Sequence, residues 1–257
     1  MSRIASVFKP NHKALIGYIT VGHPTIDATP DIAAVLVENG CDIIELGIPF
    51  SDPVGDGPTI QQSSYQALLN GVTPKFCMET AAAIRARTDA PLVFMTYYNL
   101  LLNHGLEAFC RESAQAGIDG FIIPDLPPEE GRELETTAHK YGLDLIYLLA
   151  PTSTPDRIDE VSKHTSGFTY LVSITGVTGA RTDLPAELES FIRRVRQKSV
   201  LPLCVGFGIS TPEQAKRVAA SADGIIVGSR LIQLIENDMT LASLKEFVKS
   251  LRIALDE

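Results

Sequence analysis

The sequence predicts an α/β protein, a single (β/α)8 TIM barrel over residues 1–257, with a short N-terminal helix and a short extra helix after the eighth strand. Three observations predict this fold. Short segments rich in Ile, Val and Leu recur eight times, as expected for parallel strands buried on both faces. Helical segments separate them. Eight such units in 257 residues match the size of this barrel.

Each strand and helix of the predicted barrel has its own segment of the chain. The predicted strands are residues 14–20, 42–46, 92–97, 120–123, 144–149, 168–173, 203–205 and 224–227. The predicted helices are residues 32–39, 59–70, 106–116, 128–141, 155–164, 184–198, 212–220 and 241–255, with the extra helix over 230–235. Glycine ends several helices, as at Gly40 and Gly142, where it is a typical C-terminal cap. An open doubly wound sheet is the alternative fold, although it usually needs fewer strands.

Composition narrows the range of partners. The chain has 22 Lys and Arg against 31 Asp and Glu, a formal net charge of −9, which argues against nucleic acid or an anionic membrane as the main partner. No apolar run approaches the roughly 18 residues of a membrane span, and the N-terminus lacks the apolar core of a signal peptide. We therefore expect a soluble, cytoplasmic protein, with Cys41, Cys77, Cys110 and Cys204 as reduced structural thiols.

Glu45 is the first candidate for chemistry. It lies in the apolar segment Asp-Ile-Ile-Glu-Leu, near the end of the second predicted strand, where a barrel places its active site. Side chains alternate along a strand, so Ile43, Glu45 and Gly47 share one face, which points into the barrel if Ile43 does. A carboxyl group in an apolar barrel mouth should have a raised pKa, suited to general acid–base catalysis. A buried ion pair or hydrogen-bonded carboxylate is the structural alternative.

The long loop after the second strand carries two further acidic residues. Asp56 lies between Gly55 and Gly57, which leave the backbone free to place its side chain, and Asp52 precedes Pro53. A turn role remains open for Asp56 and is favoured for Asp52. Two carboxyl groups in different environments can divide the work, one moving protons and the other staying charged.

Glycine-rich turns follow the seventh and eighth strands. Gly206-Phe207-Gly208 follows the seventh, and Gly228-Ser229 follows the eighth and opens the extra helix. Loops at these two positions together with a helix N-terminus form the phosphate site of many barrels, because backbone N–H groups can approach phosphate oxygens there. Either turn alone would indicate only a tight bend.

Several chemistries are disfavoured by the sequence. No lysine lies at the C-terminal end of a strand segment, which disfavours a Schiff-base aldolase. The five histidines are scattered and form no metal-binding motif, so no metal is expected. Only His23 lies near the predicted mouth, where a turn role is favoured.

The segment ELGIPFSDPVGDGPTIQ, residues 45–61, resembles the signature of the tryptophan synthase alpha chain family. Agreement extends over almost the whole chain. It includes Tyr18-Ile19-Thr20, Tyr97-Tyr98-Asn99, Pro124-Asp125-Leu126-Pro127, Tyr170-Leu171-Val172-Ser173, Gly176-Val177-Thr178-Gly179, Gly206-Phe207-Gly208-Ile209 and Gly228-Ser229. The chain departs from the common pattern at His23, Gly55 and Ile174, where Asp, Ala and Arg are usual.

The resemblance implies a lyase that cleaves indole-3-glycerol phosphate to indole and glyceraldehyde 3-phosphate. It implies Glu45 as general acid/base, Asp56 as its carboxylate partner, Tyr18 against the indole ring and Tyr170 beside Glu45. Thr178 would close the sixth loop over Asp56. The other residues assigned by resemblance are Tyr97 and Phe207 for substrate, and Gly179, Gly208, Gly228 and Ser229 for phosphate.

The same resemblance implies a partner. Indole would pass through a tunnel to a beta chain, in an alpha2beta2 tetramer, and pyridoxal phosphate would be bound by that beta chain, with no cofactor in this chain. A stand-alone lyase that releases free indole is the close alternative. A sugar-phosphate isomerase or epimerase would need a different acid–base set. A non-catalytic barrel that only activates a partner is disfavoured by the presence of both Glu45 and Asp56.

Overall fold

A computed structural model of the chain describes residues 2–172, 186–206 and 208–257. All strand pairs are parallel, and the sheet order is β5-β4-β3-β2-β1-β9-β8-β7-β6. The strands are β1 (Ala14–Thr20), β2 (Ile43–Gly47), β3 (Leu92–Met95), β4 (Gly120–Ile122), β5 (Asp144–Ile146), β6 (Leu148–Leu149), β7 (Thr169–Val172), β8 (Leu203–Gly206) and β9 (Gly224–Val227).

The sheet closes on itself through the fifth predicted strand. That segment is divided at Tyr147 into β5, which pairs with β4, and β6, which pairs with β7. The division occurs because the Tyr147 amide donates to the Thr165 side-chain oxygen at 3.1 Å instead of to a neighbouring strand. Its carbonyl still accepts from the Tyr170 amide at 3.1 Å. The two ends of the nine-segment sheet therefore meet in one stretch of chain, and the predicted barrel of eight strands is confirmed.

Helices surround the barrel. They are α1 (Arg3–Val7), α2 (Thr29–Glu38), α3 (Pro58–Leu69), α4 (Pro74–Arg85), α5 (Tyr98–His104), α6 (Leu106–Gln115), α7 (Pro128–Lys140), α8 (Pro155–His164), α9 (Ala186–Arg196), α10 (Pro212–Ala219), α11 (Ser229–Asn237) and α12 (Ala242–Asp256). The predicted helices lie within a few residues of these bounds, and the first two residues of predicted helix 184–198 lie outside the described residues. The sequence reading missed α4 and α5.

Threonine caps begin three of these helices. The side-chain oxygens of Thr73, Thr154 and Thr211 accept from the amides three residues later, at 3.2–3.3 Å. A proline follows each cap at the first helical position, where its missing N–H has no consequence. Thr73-Pro74 was therefore an available signal for the missed helix α4.

The interior of the barrel is a tightly packed layer of apolar side chains. It consists of Ile4, Ile16, Ile43, Val93, Ile122, Ile146, Phe168, Cys204 and Ile226. Helix α1 covers the end where the strands begin, because Ile4 packs against Gly120 and Gly167. The opposite end is the mouth, so access to the interior comes from the carboxyl ends of the strands.

A second apolar layer fills the space between the strands and the helices. The four cysteines are buried and free. His23 lies just beyond β1, and its amide donates to the Thr20 carbonyl oxygen at 3.3 Å, which agrees with the predicted turn role. Its ring is also buried, with Nε2 3.1 Å from a carboxylate oxygen of Glu236 in α11. Among the described residues, no helix is long and apolar enough to cross a membrane.

Candidate active site

Glu45 lies inside the barrel, one step above the apolar layer. Ile43 belongs to that layer, and the parallel register pairs Ile16 with Ile43 and Tyr18 with Glu45. Because side chains alternate, Glu45 shares the inward face of Ile43 and lies nearer the mouth, as predicted. Only 1% of its surface is exposed, and neither carboxyl oxygen has a hydrogen-bond partner among the described residues.

This environment favours the neutral form of Glu45. Burial raises the pKa of its carboxyl group to about 8, and the nearby charge of Asp56 contributes in the same direction. A structural carboxylate would be paired or hydrogen-bonded when buried, and Glu45 has neither kind of partner in the described part of the chain. Its geometry is that of a group that can give and take a proton near neutral pH.

Asp56 is held at the mouth by the loop that joins β2 to α3. The Tyr97 hydroxyl donates to Asp56 Oδ2 at 3.2 Å and accepts from the Gly55 amide at 3.0 Å. Gln61, one turn into α3, donates to the Asp56 carbonyl oxygen at 2.9 Å. Phe50 stacks on the Tyr97 ring with centroids 5.0 Å apart. The flexible Gly55-Asp56-Gly57 segment is thereby fixed in position.

The two carboxyl groups differ in their readiness to ionise. Burial raises the pKa of Asp56 to about 6, and the hydrogen bond from Tyr97 opposes that rise. At neutral pH Asp56 is mostly charged while Glu45 is mostly protonated. This division of roles is the one expected of an acid–base residue beside a fixed negative charge.

Two tyrosines lie near the glutamate inside the barrel, Tyr18 on the neighbouring strand β1 and Tyr170 on β7. Burial, followed by nearby carboxyl charges, raises the hydroxyl pKa of Tyr18 and Tyr170 well above the ordinary value, so both stay protonated. Glycine makes room for each hydroxyl. A Cβ on Gly206 would lie 2.6 Å from the Tyr170 hydroxyl oxygen, and a Cβ on Gly47 would overlap that of Tyr18. The sequence does not predict the contact between Gly47 and the Tyr18 hydroxyl, although it does predict that Gly47 shares a strand face with Glu45.

The candidate phosphate end lies where β9 passes into α11. Gly228 is the cap residue of α11, and Ser229 is its first residue. Gly208, after β8, has a φ of +63°, which favours glycine. These turns follow the seventh and eighth barrel strands, as the sequence predicts. Free amides at a helix N-terminus suit an anion.

Three predicted site residues, Thr178, Gly179 and Phe207, lie outside the described residues. Ile174 lies there as well. Within the described ranges, no group of three or more His, Cys, Asp or Glu side chains could hold a metal ion.

Two hydroxyl residues beside the site were missed from the sequence. Thr20, at the end of β1, bonds to Ser63 in α3 at 2.7 Å, and both are buried. Neither residue type carries a signal on its own, and 43 residues separate them in the chain. Only the fold brings them together.

Comparison with known proteins agrees with this geometry. The family model described as tryptophan synthase alpha chain matches residues 4–254. The tryptophan synthase alpha chain of Dehalococcoides mccartyi is 55% identical over 256 residues, which cover 100% of both chains. That of Geobacter sulfurreducens is 47% identical over 263 residues, covering 99% of both.

Solved structures give the same result. A structure of Mycobacterium tuberculosis tryptophan synthase matches with a TM-score of 0.92 and 37% identity, covering 99% of this chain and 97% of the other. Tryptophan synthase subunit alpha from Legionella pneumophila matches with a TM-score of 0.91 and 35% identity, covering 100% and 99%. With its buried glutamate at the mouth of a closed barrel, this chain belongs to the tryptophan synthase alpha chain family, the lyases that cleave indole-3-glycerol phosphate.

Proposed function

We propose that Glu45 and Asp56 together perform the cleavage of indole-3-glycerol phosphate, Glu45 as general acid and base and Asp56 as a fixed negative charge. The observation that carries this proposal is the environment of Glu45. It is 1% exposed, faces the barrel mouth and has no hydrogen-bond partner among the described residues. A proton held there is available to a substrate and to nothing else in the described site.

The reaction divides into two proton transfers. Glu45 gives its proton to indole C3, the carbon that leaves, and the ring nitrogen becomes cationic. The bond between C3 and the side chain then breaks, and its electrons return to the ring. The neighbouring hydroxyl loses its proton to the Glu45 carboxylate and becomes the aldehyde carbonyl. Atoms and charges balance, and Glu45 ends as it began.

Asp56 stabilises the intermediate of this sequence. A carboxylate near the ring nitrogen lowers the free energy of the cationic indole most in the transition state, where the charge develops. The hydrogen bond from Tyr97 and the bonds along the loop hold Asp56 in place before substrate arrives. Such preorganisation avoids reorientation during the reaction.

The remaining predicted residues orient the substrate. Tyr18 packs against the indole ring, Tyr170 lies beside Glu45, and Tyr97 and Phe207 complete the ring pocket. Thr178 closes the sixth loop over Asp56. Gly179, Gly208, Gly228 and Ser229 bind the phosphate through backbone amides, which explains how a chain of net charge −9 takes an anionic substrate. The phosphate supplies binding energy far from the reacting carbons.

We further propose that the chain works as one barrel domain, in the cytoplasm, in an alpha2beta2 tetramer with a beta chain that binds pyridoxal phosphate. This chain then needs no cofactor of its own. Exposed apolar side chains near the mouth support such a partner. Val54 is 86% exposed, and Tyr65 and Leu102 are more than half exposed. Phe50, Pro58 and Tyr65 line an open cavity of about 380 Å³ beside the same loop.

The test measures indole release from indole-3-glycerol phosphate by the pure chain, with and without a cognate beta chain, alongside Glu45→Gln. The amide keeps the shape of the side chain and cannot transfer the proton, so we expect a loss on the order of 10²-fold or more. Asp52→Asn is the matched control, since Asp52 is an exposed carboxylate of the same loop, and it should retain activity. Unchanged turnover in Glu45→Gln would overturn the mechanism. Full activity without the beta chain would favour a stand-alone lyase.

A further inference from the structure

A chain of buried hydroxyl groups runs from the barrel mouth into helix α3. The hydroxyl oxygens of Tyr18 and Thr20 are 3.4 Å apart, and those of Thr20 and Ser63 are 2.7 Å apart. Ser63 also lies 2.9 Å from the carbonyl oxygen of Ile60, one turn earlier in α3. Thr20 and Ser63 are at most 2% exposed, so bulk water does not compete for these bonds.

The Ile60 carbonyl oxygen, at the end of this series of hydroxyl groups, sets the direction of every hydrogen bond in it. Each hydroxyl has one proton, and a carbonyl oxygen can only accept. Ser63 therefore gives its proton to Ile60 and accepts from Thr20. Thr20, having given its proton to Ser63, accepts from Tyr18. The Tyr18 proton is therefore directed to Thr20, and the Tyr18 oxygen is left as an acceptor.

The position of the Tyr18 hydroxyl is also fixed. Tyr18 and Glu45 are paired in the register of β1 and β2, and their side chains share the inward face. The hydroxyl occupies the space left by the missing side chain of Gly47. This contact fixes the position of the hydroxyl oxygen, so the Tyr18 proton changes partner by rotation about the C–O bond.

The other groups that face Glu45 do not replace the missing donor. Among the described residues, the titratable side chains that interact electrostatically with Glu45 are Tyr18, Asp56 and Tyr170. The Tyr97 proton goes to Asp56. The Tyr170 hydroxyl makes no hydrogen bond to Glu45, whose oxygens have no partner among the described residues. Tyr18 is paired with Glu45 in the strand register and shares its inward face, and it is the neighbour whose proton the hydroxyl chain directs elsewhere.

We propose that Ser63 is a positioning residue which, through Thr20, directs the Tyr18 proton away from Glu45 and so keeps Glu45 in its neutral, proton-donating form. This inference rests on the proposed function of Glu45. Ser63 lies in α3, outside the barrel, and does not touch the substrate, so its effect on catalysis is indirect. We expect the consequence to be a shift in the pH dependence of the reaction.

The test compares the pH profiles of indole release for wild type, Ser63→Ala and Thr20→Val, with Thr20→Ser as the matched control. In Ser63→Ala, Thr20 is free to donate to Tyr18, and in Thr20→Val the Tyr18 proton loses its acceptor among the described residues. In both, the Tyr18 proton can turn to the ionised carboxylate and lower the pKa of Glu45. Activity requires protonated Glu45, so the basic limb should move to lower pH, by about one pH unit. Thr20→Ser should leave the limb in place.

A double variant separates this role from a general packing effect. In Tyr18→Phe the proton is absent, so adding Ser63→Ala should not move the basic limb further. An unmoved limb in both Ser63→Ala and Thr20→Val, or an equal shift in the Tyr18→Phe background, would overturn the inference. Either result is distinct from failure of the proposed function, in which Glu45→Gln would retain wild-type turnover.

Discussion

Two buried carboxyl groups at opposite ends of the barrel have contrasting surroundings. Asp119 lies just before β4, at the end where the strands begin, and accepts from Arg3 at 2.7 Å, Arg85 at 2.8 Å and the Leu92 amide at 2.9 Å. Glu45 lies at the mouth and is less exposed, 1% against 7%, yet has no hydrogen-bond partner among the described residues. A carboxylate surrounded by donors holds elements together, whereas one without donors is kept ready to exchange a proton.

The largest effect is expected from removing the carboxylate of Asp119. Asp119→Ala removes the carboxylate partner of the half-buried Arg85 guanidinium, which keeps its bonds to the Gly117 and Thr88 carbonyl oxygens, and frees α1 from its ion pair. We expect a loss of about 3 kcal/mol in unfolding free energy. Denaturant titration measures it. Asp31→Ala is the control, since its 2.7 Å pair with Arg87 is exposed and should contribute less than about 1 kcal/mol. Equal losses in both variants would contradict the structural role of Asp119.

The opposite effect, a gain in unfolding free energy, is expected from Glu45→Gln. Its folded pKa, about 8, lies above the value of about 4.5 in the unfolded chain. The folded state therefore binds the proton more tightly, and stability falls as pH rises from about 4.5 to about 8. Glu45→Gln cannot ionise and lacks this fall. At pH 8 we expect it to exceed wild type in unfolding free energy by about 2 to 4 kcal/mol, with a much smaller difference at pH 5.

Denaturant titrations of wild type and Glu45→Gln at both pH values test this prediction. The same substitution that removes activity should thus stabilise the fold, which is the reverse of the result at Asp119. A Glu45→Gln variant that is less stable than wild type at both pH values would show that the carboxyl group has a structural role after all.

The smallest effect is expected from removing the Tyr97 hydroxyl, which favours the ionised form of Asp56. The Tyr97 hydroxyl lowers the pKa of Asp56, so Tyr97→Phe should raise it above about 6. Activity requires ionised Asp56, so the acid limb of the pH profile should move to higher pH, by up to about one pH unit. Indole release at pH 6 should fall several-fold, with little change near pH 7.5. Tyr98→Phe removes a neighbouring hydroxyl that does not contact Asp56, and its acid limb should match wild type.

Much of the barrel could be predicted because its strands are encoded locally. The runs at residues 14–20 and 224–227 match β1 and β9 at both ends. The break at Tyr147 could not be predicted, since it depends on the Thr165 side chain from a later segment. Helix α5 was also missed. Its first amide, of Tyr98, is held by the Asp125 carboxylate from 27 residues away.

In the candidate site, too, some features are encoded locally and others depend on contacts between distant segments. An acid in an apolar strand is visible in the sequence, and so is a glycine-flanked aspartate in a long loop, which is how Glu45 and Asp56 were found. The direction of the Tyr18 hydroxyl proton depends on two elements in contact, β1 and α3. Tyr18 and Thr20 are two residues apart, but the serine that orients them lies in α3, and no local pattern connects the two.

The pairing of β1 with β9 has a consequence for synthesis of the chain. Ala14 aligns with Gly224. During synthesis, β1 leaves the ribosome first and β9 last, so one edge of β1 stays unpaired until β9 has been made. Until then a growing sheet has one open edge at β1 and another at its newest strand. Exposed edges of this kind readily pair with other chains. The nascent protein is therefore most vulnerable to aggregation just before residues 224–227 appear, and early chain termination should yield insoluble product.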